Sequence, residues 1–148
     1  MAQYTRQEIL DKTAEHLFKQ GCPAIVAATN EKSICYYRHH IDNGNTLMCA
    51  VGALIPDEMY TSEFEGKSID NLMHRFDHLR IYNNVLHNIF NPVDSQFLRE
   101  IQHIHDSSRY EINDWIGYVS NEYVKMAKMY KLDVPSVVVD YLNTRKGE

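Results

Sequence analysis

Long hydrophobic runs are missing from this 148-residue chain. No stretch approaches the roughly 18 apolar residues of a membrane span, and the opening MAQYTRQEILDK carries neither a basic segment nor an apolar one of the kind that directs secretion. The expectation is a cytoplasmic protein with no membrane partner. Cysteine is scarce and odd in number. Cys22, Cys35 and Cys49 have no C-x-x-C spacing, which argues against a disulfide framework or a structural zinc site and for three free thiols. Basic clusters are lacking too: 15 Lys+Arg against 20 Asp+Glu leave a formal charge of -5. No Arg/Lys stripe interleaved with aromatics breaks that balance, so nucleic acid is not an expected ligand. Low-complexity tracts, internal repeats and cofactor fingerprints are also missing, and no cofactor or metal is expected.

What is present is the makeup of an ordinary globular protein. Hydrophobic residues are 44% and charged residues 24% of the chain, and the length suits one domain over residues 1–148 able to bury a core without staples. Eight histidines make the net charge less negative between neutral and mildly acidic pH.

Thr5-Arg6-Gln7-Glu8 reads as a capping box, with Tyr4 and Ile9 placed as a hydrophobic staple. Ile9, Leu10, Ala14, Leu17 and Phe18 keep the helical period until Gly21 and Pro23 stop it, so a helix to about Gln20 is predicted. Residues 24–29 are apolar but too few for periodicity to separate strand from helix. Residues 34–40 and 46–49, around the Asn43-Gly44 turn signal, are predicted to pair as antiparallel strands. Two short helices follow, over Leu72 to Leu79 and Ile81 to Phe90. Asp94 or Ser95 caps another in which His105 lies at the edge of the buried face and His103 points elsewhere. The longest helix runs through residues 109–130 and ends before Asp133-Val134-Pro135. Residues 136–142 are open: three valines favour a strand, while a Ser cap and the Val138/Leu142 face allow a helix. The whole reads as α+β, mainly α, with five to six helices around a small antiparallel hairpin.

The stretch Leu47 to Tyr60, LMCAVGALIPDEMY, is the centre of this reading. A cysteine precedes a run of small residues, Ala50, Gly52 and Ala53, and Pro56-Asp57-Glu58 cuts the run off. So little side-chain volume lets another backbone approach closely, and Gly52 is the residue expected to meet one.

Four pieces of the chain then form a pattern. They are Cys35-Tyr36-Tyr37-Arg38, the block Cys49-Ala50-Val51-Gly52-Ala53-Leu54-Ile55-Pro56-Asp57-Glu58-Met59-Tyr60, Glu65-Gly66-Lys67-Ser68, and Ile101-Gln102-His103-Ile104-His105-Asp106. Over most of residues 5–120 the chain resembles a group of small phage and bacterial proteins with a C-A-V-G-x-L-I-P-D-E-x-Y block and a later L-x-x-I-H-D segment, here with Ile101 in place of the leucine. The resemblance implies a phage or prophage setting and a common fold, and carries no particular chemistry with it.

Cys49, His105 and Asp106 are the candidate catalytic residues. A thiol at a helix N-terminus is favoured as thiolate by the amide dipoles, and an imidazole nearby could take its proton. Asp106 follows His105 directly and so points about 100° away on a helix, a poor orienter unless the helix ends there, with Gln102 or Asp114 as other orienters. Set against this, free cysteine is commonly a small buried hydrophobe. His74 and His78 share a helical face but lack a third ligand, and His39, His40 and His103 read as solvated. Asp57, Glu58, Glu63 and Glu65 lack the order of a calcium loop and read as a turn. The tyrosines weigh more: Tyr36, Tyr37, Tyr60, Tyr82, Tyr110 and Tyr118 exceed what one core can satisfy, which points to an interface or a dimer contact. The candidate binding residues are therefore Tyr36, Tyr37, Arg38, Tyr60, Asp57 and Glu58. The favoured function is an accessory protein that binds a host or defence-system protein or a small ligand; the alternative is a thiol-dependent hydrolase or transferase.

Overall fold

Thr5 starts the first helix by accepting the Glu8 amide on its side-chain oxygen at 3.1 Å, as the capping signal predicts. The computed structural model describes residues 4–27, 33–40, 44–65, 95–107 and 112–146. Helix α1 spans Arg6–Gln20 and closes on Gly21, whose φ of 75° is the left-handed value that terminates helices. Its apolar stripe, Ile9, Leu10, Ala14 and Leu17, is completely or almost completely buried. Tyr4 packs against the same core, completing the staple with Ile9.

Two small antiparallel hairpins follow. Strand β1 (Ile25–Ala27) pairs with β2 (Ser33–Cys35) in the register Ile25↔Cys35, so the described part of the ambiguous 24–29 stretch is strand over Ile25–Ala27, and residues 28–29 lie outside the described residues. Strand β3 (Arg38–His40) pairs with β4 (Thr46–Met48) in the register Arg38↔Met48, and Gly44 beside the turn has φ 82°. The single strand predicted over 34–40 is therefore split at Tyr36-Tyr37. The cause is local: the Tyr36 amide still follows the β1–β2 register, donating to the Ala24 carbonyl at 2.8 Å, but the next two amides, of Tyr37 and Arg38, both donate to the Glu65 carboxylate. Backbone groups that a continuous ladder would use are taken by other partners.

After β4 the chain makes three single 3-10 turns, Gly52–Leu54, Asp57–Met59 and Ser62–Phe64. Helix α2 is Ser95–Ser107, α3 is Trp115–Tyr130 and α4 is Ser136–Lys146. The architecture is α+β and mainly helical, with four α-helices among the described residues. The helices predicted around Leu72 to Phe90 lie outside those residues. Helix α3 begins later than predicted because Ile112–Asp114 forms a 3-10 turn and Asp114 caps it, accepting the Gly117 amide at 3.3 Å. Residues 136–142 are helical despite their valines. Val138 is fully buried and Val137 and Leu142 pack against the core, so one buried face outweighs β propensity.

The core lies where α1 meets Gly52–Leu54, α3 and α4. Inside it the Tyr123 hydroxyl donates to Thr13 at 2.8 Å, and the Thr13 hydroxyl donates to the Ile9 carbonyl at 2.8 Å. Gly52 meets another backbone as expected: a Cβ placed there would stand 2.1 Å from the Tyr37 carbonyl oxygen and 2.8 Å from its carbon. A carbonyl held by its neighbours cannot rotate away as a side chain can. Gly52→Ala is expected to destabilise the protein by about 1–3 kcal/mol, read as a lower denaturant midpoint; an unchanged midpoint would refute the close approach.

Candidate functional site

Several described residues of the sequence pattern, among them Arg38, Cys49 and Glu65, gather around the Tyr37–Gly52 contact. Tyr37 itself is core, only 6% exposed, which corrects its assignment to the surface: with its carbonyl against Gly52 and its amide on Glu65, its ring is drawn inward. Arg38 lies flat beneath the Pro56 turn. Its guanidinium donates to the Ile55 carbonyl at 2.6 Å and to Asp57 Oδ1 at 2.7 Å, and stands 4.9 Å from the centre of the Tyr60 ring. The Arg38 side chain is 10% exposed while Asp57 is 92% exposed, so the pair joins a buried cation to a carboxylate in water. Arg38 Nε, also buried, has no hydrogen-bond partner among the described residues.

Glu65 closes the cluster from the other side. Its carboxylate accepts the amides of Tyr37 at 2.8 Å and Arg38 at 3.1 Å, and the Tyr60 hydroxyl at 2.6 Å. Two successive amides aimed at one carboxylate form a small anion nest. Burial, and then the bond to Glu65, push the Tyr60 phenol well above its usual range. Arg38, Asp57 and Tyr60, read from sequence as a binding surface, are thus a braced unit. Tyr36 is half-buried and packs on His39 with ring centres 4.9 Å apart, and Glu58 is exposed.

Cys49 sits directly after β4, fully buried. The element that follows it is a three-residue 3-10 turn rather than a helix, and the Gly52 amide reaches the sulfur at 3.3 Å, with Gln102 bonding it from α2. Burial is the larger effect and pushes the thiol far above its usual range, with Asp106 and Glu65 adding to it against the Gly52 and Gln102 bonds. Cys49 is a neutral thiol. Cys22 is an exposed free thiol, and the side chain of Cys35 lies outside the described residues.

His105 is completely buried, deeper than the edge position expected from its spacing. Its Nε2 accepts the Ala24 amide at 2.9 Å, and Nδ1 bonds Asp106 Oδ1 at 3.0 Å. An amide can donate only to a lone pair, so the ring is the neutral tautomer with its proton on Nδ1. Asp106 does reach the ring, the case expected where the helix ends at this point: α2 stops at Ser107, one residue later. Gln102 completes the chain: its Oε1 accepts the Val51 amide at 3.2 Å and its Nε2 donates to Asp106 at 2.8 Å. The structure therefore gathers Cys49, Asp106 and Gln102 around one polar seam, while the base lone pair of His105 is committed to Ala24.

On the opposite side, Gln20 grips Met48 at both ends of its peptide groups, donating to its carbonyl at 3.0 Å and accepting its amide at 2.8 Å. His16 Nε2 donates to the same carbonyl at 3.1 Å. Burial holds the His16 imidazole below its usual range. The sequence reading missed His16 and Gln20, although their i, i+4 spacing marks a shared helix face. Among the described residues no group of three or more His, Cys, Asp or Glu side chains is arranged to hold a metal ion. His74 and His78, and with them Tyr82 and Tyr110, lie outside those residues. No described helix is long and apolar enough to cross a membrane.

Chemically, the cluster can hold its segments rigidly and display carboxylates; as arranged it offers no activated nucleophile. Alkylation of native protein near neutral pH is expected to modify Cys22 at least about tenfold faster than Cys49, a difference that vanishes in denaturant. Faster labelling of Cys49 would overturn the neutral, buried assignment. Glu65→Gln should cost about 2 kcal/mol, because a carboxamide cannot accept from both backbone amides and the tyrosine without turning its own NH2 toward a donor. A thermal or denaturant melt unchanged from wild type would refute that role.

The chain matches no family model, no curated protein and no solved structure.

Proposed function

We propose that this protein acts by binding: it is a phage-type accessory factor that inhibits or sequesters a host protein, a defence-system protein or a small ligand. The observation that carries the reading is the braced Arg38 unit, which holds Asp57 out in solvent from a buried guanidinium. A display surface built on fixed side chains loses little conformational freedom on association. Exposed Glu58 and half-buried Tyr60 adjoin it, and the reading assigns half-buried Tyr36 to the same surface, giving an acidic rim with aromatic anchors, a composition suited to a partner with basic and apolar groups. Tyr37, Cys49 and Gly52 support this surface from beneath.

The competing reading is a thiol-dependent hydrolase or transferase using Cys49 and His105. The Asp106 bond at Nδ1 favours it, since it orients the ring. The Ala24 amide on Nε2 and the buried neutral thiol weigh against it.

Affinity capture from infected or lysogenic cells, with wild type, Cys49→Ala and a Tyr36→Ala/Glu58→Lys double variant, separates the two. The binding reading expects partner recovery to survive Cys49→Ala and to fall in the double variant, with all three proteins folded by circular dichroism. Biological activity abolished by Cys49→Ala in a protein that still captures its partner would replace binding with catalysis.

A further inference from the structure

Ala24 is held on both faces of its residue. Its amide donates to His105 Nε2 at 2.9 Å, and its carbonyl accepts the Tyr36 amide at 2.8 Å. It therefore ties the base of the β1–β2 hairpin, a ladder only three pairs long, to helix α2. The tie depends on the lone pair of an imidazole, a group that takes up a proton within an ordinary pH range. With Nε2 protonated, two N–H donors would face each other across the same gap, and one must withdraw.

The opposite end of the ring keeps its partner in either state. Nδ1 donates to Asp106, whose side chain is 40% exposed and which Gln102 holds in place; a carboxylate bond strengthens when its donor becomes cationic. The ring stays anchored to its own helix, so the part that yields is the short connector at Ala24. We propose that His105 is an acid-operated latch: on protonation it keeps Asp106 and releases Ala24, freeing the base of the first hairpin from α2.

The groups facing this site set the balance. From α1, His16 opposes a second positive charge beside His105. From the turn after β4 and from the step between the hairpins, Cys49 and Tyr37 couple to Asp106, and burial keeps both neutral. Glu65 couples to the same two groups. Among the described residues, Asp106 is thus the carboxylate bonded to the ring itself, and His16 is the other imidazole that opposes a second positive charge there. The latch stands apart from the binding reading, since neither its parts nor its test involves the Asp57–Glu58 surface.

The test follows imidazole nitrogens and amide exchange by nuclear magnetic resonance on the full chain from about pH 8 to about pH 4.5. Near neutrality His105 should show the proton on Nδ1, with the Ala24 and Tyr36 amides protected. As the ring protonates, exchange corrected for its intrinsic pH dependence should accelerate at least about tenfold at both amides, with the midpoint of the ring, while α3 keeps its protection. His105→Gln, whose carboxamide oxygen can accept from Ala24 but does not titrate, should hold both amides closed throughout; His16→Gln should leave the step in place. A proton on Nε2 at neutrality, no protonation of His105 over the range, or flat exchange through it would overturn the proposal. So would a step that survives His105→Gln, disappears in His16→Gln, or takes α3 with it. Should His105→Gln fail to fold, wild-type midpoints for the ring and for Ala24 that disagree would overturn it equally.

Discussion

The contact between the Tyr37 carbonyl and Gly52 is the constraint on which the rest of the structure depends. Two backbones meet where no Cβ fits, and Glu65, Arg38 and Asp57 are arranged around that meeting. With the Tyr37 peptide fixed, its amide and that of Arg38 point to Glu65, and Arg38 extends under the Pro56 turn to Ile55 and Asp57. The strand breaks into two hairpins at this point because the peptide belongs to the packing rather than to a ladder.

A second, polar layer lies beneath. Helix α2 contributes Gln102, His105 and Asp106, which between them satisfy the amides of Val51 and Ala24. Buried amides left without partners would each be costly, so one short helix end holds two otherwise unrelated loops. The same arrangement decides the state of Cys49: hydrogen bonds from Gly52 and Gln102 favour a thiolate, but complete burial outweighs them. A cysteine in a motif is thus better understood here as a small packed group than as a nucleophile.

Much of this was legible from residue order. The Thr5 cap, the Gly21 stop and the turn near Gly44 are local effects of side-chain oxygens and left-handed glycines, and they stand where the spacing puts them. Small residues at Ala50 and Gly52 signalled a close approach, though not that its partner would be Tyr37. The misjudged and the open features are those set by distant contacts. Tyr37 was read as surface because a count of tyrosines says nothing about which one a glycine admits. Whether Asp106 could orient the ring turned on where α2 ends, which spacing alone does not give; it ends at Ser107. Residues 136–142 stayed open between strand and helix, and the buried Val138 face decides for the helix. Glu65 looked like one acidic residue among several, and its three bonds come from residues up to 28 positions earlier in the chain.

Gln20 presents the outer side of Met48 with a carboxamide that donates and accepts as a neighbouring peptide would. At that residue α1 takes the position an additional strand would occupy, and the hairpin has no open valence there for edge-to-edge pairing. A sheet of two short strands is ordinarily an invitation to aggregation or to recruitment of an extended peptide. Here side chains of α1 close the edge at Met48, so recognition at that residue must be made by side chains and not by borrowed backbone.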